Sequence, residues 1–229
     1  MHEEEDQSRQ AEDDLIVKDR DGESIENQNQ NQFQFQDQTQ NHNPLPRPGG
    51  PLKPRVDIVQ KMILEQTCKL EQLCAGLRSA DDRIFKTLVT SVRENNTQYS
   101  CILSSDLAKS RRMTAVVMMS KVSFEKLQAK FAAVSGLGDL VIVAGPAMAV
   151  VKSICSLIVQ YMPEMESEMK AISEVLSGIL VDAGQVGGYT INFESANEEA
   201  AKIIQESSAA AEKEMRQCFS ELPAELVAK

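Results

Sequence analysis

The sequence contains no tryptophan, and aromatic residues make up only 4% of its 229 positions. Proteins that bind single-stranded nucleic acid stack bases on aromatic rings, so this scarcity argues against that class. The two histidines, His2 and His42, lie before the first long apolar pattern, and neither is placed to act as a base or a ligand. Motifs of P-loop nucleotide binding, zinc peptidases and serine hydrolases are missing. We therefore predict a protein that is not an enzyme and holds no cofactor and no metal.

Cysteine usage and the first residues bear on the compartment. The five cysteines are odd in number and include no C-x-x-C pair, which fits reduced thiols better than disulfides or a zinc site. The start of the chain, from Met1 to Glu5, shows neither the basic nor the apolar region of a secretory signal. These features predict a cytoplasmic protein. The cysteines are Cys68, Cys74, Cys101, Cys155 and Cys218.

The net charge of -10 is unevenly divided along the chain. Residues 1–43 carry 3 basic and 12 acidic side chains, residues 51–135 carry 14 basic and 8 acidic, and residues 136–229 carry 6 basic and 14 acidic. A basic segment can fold against its own acidic half or bind an external anionic surface. The division of charge therefore predicts a switch between these two states.

Residues 1–50 are predicted to be a disordered tail. The acidic start leads into Asn27 to Asn43, where 12 of 17 residues are Asn or Gln and too few are apolar to offset the entropy of ordering. A proline-rich spacer follows, which we interpret as a linker, with a short docking peptide as the alternative. Its prolines are Pro44, Pro46, Pro48, Pro51 and Pro54.

Sevenfold apolar repeats begin at Val56 and predict a long antiparallel helical hairpin. The first repeat is typical of a coiled-coil seam and extends to about Arg93, where the stretch Glu94 to Asn96 offers a turn. The second ends near Gly136, where two glycines favour a break. The first seam contains Val56, Ile63, Leu70, Leu77 and Ile84, with Val59, Leu73 and Ala80 between them, and the second contains Leu103, Val117, Phe124 and Phe131, with Met113, Leu127 and Val134.

The segment from Leu140 to Met162 is apolar except for Lys152 and a few small polar residues. Its length approaches that of a membrane span, but the polar positions and Gly145-Pro146 argue against one. We predict a buried helix that starts around Pro146.

Two more helices are predicted beyond this segment. An amphipathic helix opens at Pro163-Glu164 and closes at Asp182-Ala183-Gly184. After a linker, Ser195 and Glu198 form a capping box for a last, acidic helix that reaches about Phe219.

Together these patterns predict an all-α fold, a long hairpin with three further helices. The predicted organisation is a tail at 1–50, a basic hairpin at 51–135, an apolar third and amphipathic fourth helix at 136–183, and a linker with the acidic C-terminal helix at 184–229. Two functional classes stay open from these features: a switchable polymer subunit, and a cytosolic coiled-coil scaffold or non-specific DNA-binding nucleoid protein.

Methionine is frequent in the predicted helices. Its flexible side chain suits surfaces that exchange partners, but ordinary core filling explains the pattern equally well. The residues in question are Met113, Met118, Met119, Met148, Met162, Met165 and Met169.

Several runs of residues, in order, resemble archaeal ESCRT-III proteins of the CdvB type, over about residues 51 to 222. They are Pro51-Leu52-Lys53-Pro54-Arg55, Leu137-Gly138-Asp139, Pro146-Ala147, Val150-Val151-Lys152-Ser153, Met162-Pro163-Glu164, Ile179-Leu180-Val181-Asp182-Ala183-Gly184, Gly188-Tyr189-Thr190-Ile191-Asn192-Phe193-Glu194 and Ala196-Asn197-Glu198-Glu199-Ala200.

The resemblance implies a five-helix ESCRT-III fold and a subunit, closed as a monomer, that assembles with itself and paralogous subunits into filaments. Such filaments act at the cytoplasmic face of the membrane at the division site, constrict and sever the neck, and are disassembled by an AAA-type ATPase similar to CdvC. The chain departs from the family pattern after Leu222-Pro223, where a winged-helix-like region and a proline-rich docking motif are lacking. Leu45, Pro46 and Pro48 resemble the core of an ATPase-docking motif at the other end of the chain.

Three sets of residues are predicted to carry the function. The hinge consists of Gly136 and Gly138, on the expectation that opening fuses the second and third helices. The autoinhibitory acidic helix acts through Glu198, Glu199, Glu206 and Glu212. The basic surface for membrane and polymer contacts consists of Lys53, Arg55, Lys61, Lys69, Arg78, Arg83, Lys86, Arg93, Lys109, Arg111, Arg112 and Lys121. We expect no specific nucleic acid as a partner.

Overall fold

The computed structural model describes residues 52–188 and 192–220. Within these ranges it contains five α-helices, one 3-10 turn and no strand, which confirms the predicted all-α hairpin with three further helices. The predicted disordered tail at 1–50 lies outside the described residues. The elements are α1 at Leu52–Arg93, α2 at Thr97–Ala132, α3 at Leu137–Ile158, the 3-10 turn at Pro163–Met165, α4 at Glu166–Gly187 and α5 at Phe193–Cys218.

The hairpin turn lies where the sequence predicts it. Asn95 has a φ of 55°, a left-handed conformation that asparagine tolerates better than most residues. The side chain of Asn96 then caps α2 by accepting a hydrogen bond from the backbone N–H of Tyr99 at 3.2 Å. Ser91 and Ser100 join the two helices beside the turn, with their Oγ atoms 2.9 Å apart.

α1 is about 60 Å long and packs against α2 along the two predicted seams. Near the open end, large apolar side chains of both seams are buried with α3 and α4 in one core, among them Ile63, Leu70, Phe124 and Phe131. Near the turn, Leu88, Leu103 and Leu107 form a separate small cluster between α1 and α2 alone. The half of the hairpin next to the turn is therefore stabilised by contacts between its own two helices.

The third helix begins earlier than predicted. It starts at Leu137, and Pro146 lies inside it. Proline lacks the N–H that would bond to the carbonyl of Ile142, but Ile142 is 72% exposed, so water can satisfy that carbonyl. Gly145, which has no Cβ, reduces the steric conflict that proline imposes on the preceding residue. The prediction of a start around Pro146 was therefore wrong.

The ends of α4 and α5 also differ from the sequence prediction. α4 continues through Asp182-Ala183-Gly184 to Gly187 and stops at Gly188, which has a φ of 65° in the left-handed region. α5 is capped by Asn192, which accepts from the N–H groups of Glu194 and Ser195 at 3.1 Å, and not by Ser195. The predicted end of α5 near Phe219 is confirmed to within one residue.

α3 lies at the centre of the bundle. It packs against α4, α5 and α2, while α4 also contacts α1 and α5 also contacts α2. Among the described helices, α3 is long and apolar enough to cross a membrane by length and composition, but half of its most apolar stretch is buried inside the bundle. Its exposed side includes Lys152. This arrangement is that of the core helix of a bundle, as predicted.

The methionines singled out in the sequence fill the core. Met118, Met119, Met165 and Met169 are buried. Met113, Met148 and Met162 are half-buried against the same cluster. Their packing matches ordinary core filling, the second of the two interpretations above.

Candidate functional site: the basic hairpin and its acidic cover

Five basic side chains of the hairpin form ion pairs with carboxylates of α4 or α5. All five lie in the part of the hairpin remote from the turn, residues 52–78 and 113–132, which we call the root. The pairs are Arg55 with Asp182, Lys69 with Glu168, Arg78 with Glu214, Lys126 with Glu206 and Lys130 with Glu199. The acidic half of the chain therefore covers the root of the basic hairpin.

The pair between Arg55 and Asp182 is the most buried of the five. The side chains are 3% and 10% exposed, although charged groups are rarely removed from water. Gly178, one turn before Asp182, provides the space, because a Cβ at this position would overlap the guanidinium of Arg55. Nε of Arg55 has no hydrogen-bond partner among the described residues, so the buried charge depends strongly on its carboxylate.

The pairs from α5 to the hairpin are partly exposed. Nζ of Lys130 lies 2.8 Å from Oε1 of Glu199, and Nζ of Lys126 lies 2.5 Å from Oε2 of Glu206. The hydrogen bond from Lys126 lowers the pKa of Glu206. A carboxylate with a lowered pKa stabilises the folded state above its ordinary pKa, so this contribution is lost as the pH falls below about 4.5.

Arg78 pairs with Glu214 near the end of α5. Burial alone would lower the pKa of Arg78, but the hydrogen bond to Glu214 and nearby thiol and carboxylate groups raise it above its ordinary value. The guanidinium therefore stays charged at any pH of interest.

The hairpin next to the turn, residues 82–112, carries no ion pair to α4 or α5 among the described residues; we call it the tip. Arg83, Lys86, Arg93 and Arg112 are exposed there. Lys109 is exposed too, with Asp106 one turn away at 3.8 Å. Tyr99 and Ile102 add two exposed apolar side chains, at 45% and 59%. In this state of the molecule, the tip is a basic part of the hairpin that is open to solvent and has no ion pair to the acidic helices in the described part of the chain.

The predicted basic surface thus divides into exposed and engaged residues. Four members of the set are turned inward: Arg55, Arg78, Arg111 and Lys121. Arg111 is bonded to Asp81 through Nε and Nη2 at 2.8 and 3.1 Å, and it lies over the rings of Phe85 and Phe219. Lys121 pairs with Glu71 and Glu125. Lys69 is exposed but still pairs with Glu168. The remaining members, Lys53, Lys61, Arg83, Lys86, Arg93, Lys109 and Arg112, are exposed and make no ion pair to α4 or α5 among the described residues.

The predicted acidic residues divide in the same way. Glu199 and Glu206 contact the hairpin, whereas Glu198 is exposed and Glu212 pairs only with Arg216 on its own helix, at 3.9 Å, in the described part of the chain. Sequence reasoning missed three carboxylates that do reach the hairpin: Glu168, Asp182 and Glu214. A signal for Asp182 was present, since it is a lone carboxylate in the apolar run Ile179-Leu180-Val181-Asp182-Ala183.

The break between α2 and α3 begins two residues before the predicted break, which contained the proposed hinge residues Gly136 and Gly138. The break between α2 and α3 comprises residues 133–136, and Gly138 already lies in the first turn of α3. Gly136 has an extended backbone with a φ of -144°, and neither predicted glycine adopts a positive φ. Asp139 holds the break by accepting from Oγ and N–H of Ser135 and from N–H of Gly136, and the bonds from Ser135 lower its pKa. The sequence prediction did not assign Asp139 a part in this break.

The predicted ATPase-docking residues Leu45, Pro46 and Pro48 lie outside the described residues. Within the ranges 52–188 and 192–220, no group of three or more His, Cys, Asp or Glu side chains could hold a metal ion. The cysteines there are all free thiols.

The five-helix bundle, with a long hairpin covered by three shorter helices, is an all-α fold of the ESCRT-III type. The chain is similar to Cell division protein B1 of Sulfolobus acidocaldarius, with 25% identity over 180 residues that cover 79% of this chain and 84% of that protein. It is also similar to Cell division protein B of the same organism, with 23% identity over 159 residues, 69% of this chain and 61% of that protein.

Both relatives are named cell division proteins, which agrees with the resemblance to archaeal proteins of the CdvB type that the sequence motifs indicate. No protein-family model matches the chain. No solved structure matches it either.

Proposed function

We propose that the protein is a filament subunit that assembles with itself and with paralogous subunits on the cytoplasmic face of the membrane at the division site. There the filament constricts and severs the division neck. Acidic helices close the subunit over its own basic hairpin, and opening releases the hairpin for membrane and polymer contacts. An AAA-type ATPase similar to CdvC disassembles the filament.

The observation that carries this proposal is the set of five ion pairs between the hairpin root and α4 or α5. Carboxylates of the same chain neutralise this basic surface. Because an anionic membrane can take the place of these carboxylates, the surface can exchange one for the other. Four of the five pairs are solvent-accessible, and exposed pairs contribute individually at most about 1 kcal/mol, so the exchange is not prohibitively costly.

Opening, in this proposal, straightens the break at residues 133–136 so that α2 continues into α3. Gly136→Ala should favour the fused helix by about 1 kcal/mol, roughly a fivefold shift in the closed-to-open ratio, because alanine is the better helix former. A Cβ at Gly136 meets no atom within 4 Å, so the closed state accommodates the change. The measurement is the protein concentration at which light scattering reports assembly, with helicity checked by circular dichroism.

Gly138→Ala is the matched control for the hinge prediction. Gly138 is helical already in the closed state, so alanine should stabilise both states alike and leave the assembly threshold unchanged. Equal thresholds for the two variants, or a lower threshold for Gly138→Ala alone, would place the hinge elsewhere.

Binding to membranes is expected to start at the tip and to depend on salt. Each basic residue near an anionic surface contributes about 1 kcal/mol, and this term is screened as the ionic strength rises. The full chain should therefore sediment with acidic vesicles at low salt, and the triple variant Arg83→Glu, Lys86→Glu and Arg93→Glu should bind at least about tenfold more weakly. Binding that is equal on neutral vesicles, or unchanged by high salt, would contradict the proposal.

A non-specific DNA-binding protein is the competing class, since duplex DNA is also anionic. Competition distinguishes the two when binding of the parent chain to acidic vesicles is measured with duplex DNA as a competitor at matched charge concentration. Vesicle binding that survives an excess of DNA supports the membrane. Full displacement by DNA would favour the nucleoid-type alternative.

A further inference from the structure

The end of α5 contacts the hairpin through an aromatic ring and a guanidinium group. Phe219 caps α5, and the centroid of its ring lies 5.3 Å from Cζ of Arg111 on α2. The ring of Phe85 on α1 lies 6.0 Å from the same atom. A guanidinium within about 6 Å of a ring centroid is attracted by the negative charge on the face of the ring. One cation therefore contacts a ring of the hairpin and a ring of the acidic half of the chain.

A buried carboxylate holds Arg111 in position for this contact. Nε and Nη2 of Arg111 donate to the two carboxylate oxygens of Asp81 at 2.8 and 3.1 Å, and the side chain of Asp81 is 2% exposed. Such bonds lie in the plane of the guanidinium and leave its faces available to aromatic rings. The hairpin thus fixes the cation by itself, without help from α5.

The apolar clusters of the bundle do not hold Phe219. Within residues 52–188 and 192–220, its ring packs against neither the main core nor the small cluster near the turn. Met215 packs against the main core, whereas residues 216–218 are exposed. Arg111 also lies at the C-terminal end of α5, where the helix dipole favours a cation. The attachment of α5 beyond Met215 is therefore the contact with Arg111.

We propose that Phe219 and Arg111 form a clasp, which holds the end of α5 on the hairpin through the attraction between cation and ring and not through apolar burial. A contact of this kind changes an equilibrium constant by about twofold to thirtyfold, so the clasp can open while the core stays packed. One consequence rests on the proposed function: release of the clasp starts the opening of the subunit, because the clasp joins α5 to the tip.

The test is site-specific fluorination of the Phe219 ring in the purified full chain, in solution and without vesicles. Added fluorine withdraws electrons from the face of the ring but also makes the ring more apolar. Amide hydrogen exchange of residues 211–218 measures how often the end of α5 opens. Along the mono-, di- and trifluorinated series, this exchange should accelerate stepwise, by about threefold or more for the trifluorinated ring. Exchange that is unchanged, or slower as apolar burial would make it, would overturn the proposal.

Two controls assign the effect to the clasp. The same series at Phe193, which is 59% exposed at the other end of α5, should leave the exchange of residues 211–218 unchanged. The double variant Arg111→Met with Asp81→Leu removes the cation together with its buried partner, so the series at Phe219 should lose its effect there. An equal response at Phe193, or a series that persists in the double variant, would overturn the assignment to Arg111.

The exchange measurement needs neither membrane nor assembly, so its result is independent of whether the chain forms filaments. Phe219→Leu keeps apolar bulk but removes the ring, and it should accelerate the exchange of residues 211–218 about threefold or more. Under the proposed function, it should also lower the protein concentration at which light scattering reports assembly. Faster exchange with an unchanged assembly threshold would support the clasp and contradict only the opening mechanism. Exchange in Phe219→Leu equal to that of the parent chain would overturn the clasp.

Discussion

Replacing Asp182 with alanine is expected to lower the free energy of unfolding by about 3–5 kcal/mol, because the charge of Arg55 would be left buried without its carboxylate. Arg55 is 3% exposed and its Nε already lacks a partner, so no nearby group of the described structure compensates. Urea denaturation followed by circular dichroism measures the change. Asp82→Ala is the matched control, since Asp82 is exposed on α1 and its loss should change stability by less than about 0.5 kcal/mol.

A double variant separates the charge from the packing. Arg55→Met with Asp182→Leu removes both charges and keeps apolar bulk, so it should recover most of the lost stability. In this double variant, the acidic helices should also stay packed on the hairpin at least as firmly as in the parent chain. A double variant as unstable as Asp182→Ala alone, or an Asp182→Ala protein as stable as the parent, would contradict the assigned role of the pair.

Reversing the charge of three α5 residues that contact the hairpin should open the subunit. The variant Glu199→Lys, Glu206→Lys and Glu214→Lys replaces three attractions by three repulsions while the apolar face of α5 stays intact. We expect at least about a tenfold increase in the fraction bound to acidic vesicles at a matched, subsaturating lipid concentration. Sedimentation at low and high salt measures it.

The control for this variant lies on the same helix. Glu194→Lys, Glu198→Lys and Glu212→Lys changes the net charge by the same amount but alters only exposed positions that do not pair with the hairpin. If both triple variants bind vesicles equally, net charge and not release of the hairpin is responsible. Removing α4 and α5 would be a poorer test, because the core would lose buried side chains such as Met169, Ile172 and Leu176.

The sequence predicted those parts of the fold that local patterns encode. The sevenfold repeats located α1 and α2, and Asn95-Asn96 located their turn, since each signal lies within a few residues of the feature that it specifies. The start of α3 was missed because proline inside a helix normally breaks it, whereas here Ile142, whose carbonyl would lose the proline N–H, is largely exposed to water. The exposure of Ile142 depends on how the neighbouring helices pack around α3, and the local sequence does not encode that packing.

The candidate site shows the same limit. α5 buries four small residues and one isoleucine: Ala196, Ala200, Ile203, Ser207 and Ala211. Glu199, Glu206 and Glu214 each lie three residues after a buried position. Alanine and serine give a weak apolar signal, so the face of α5 that meets α2 could not be distinguished from the face that carries Glu198 and Glu212. The pairing of Arg55 with Asp182 joins residues 127 positions apart and has no local signature beyond the isolated carboxylate.

The central claim, that α5 leaves the hairpin when the protein binds an acidic membrane, is tested most directly by a distance between spin labels. Cys101 at the tip and Cys218 at the end of α5 are exposed, and Cys68→Ser with Cys155→Ser removes the other accessible thiols. Cys74 stays unlabelled because it is buried and burial raises its pKa to about 11, so almost no thiolate is present at neutral pH.

Double electron-electron resonance then compares the labelled chain in solution, with neutral vesicles and with acidic vesicles. The account predicts one short distance in solution and with neutral vesicles, and a longer, broader distribution once the chain is bound to acidic vesicles. A chain that binds acidic vesicles with the solution distance unchanged would contradict it.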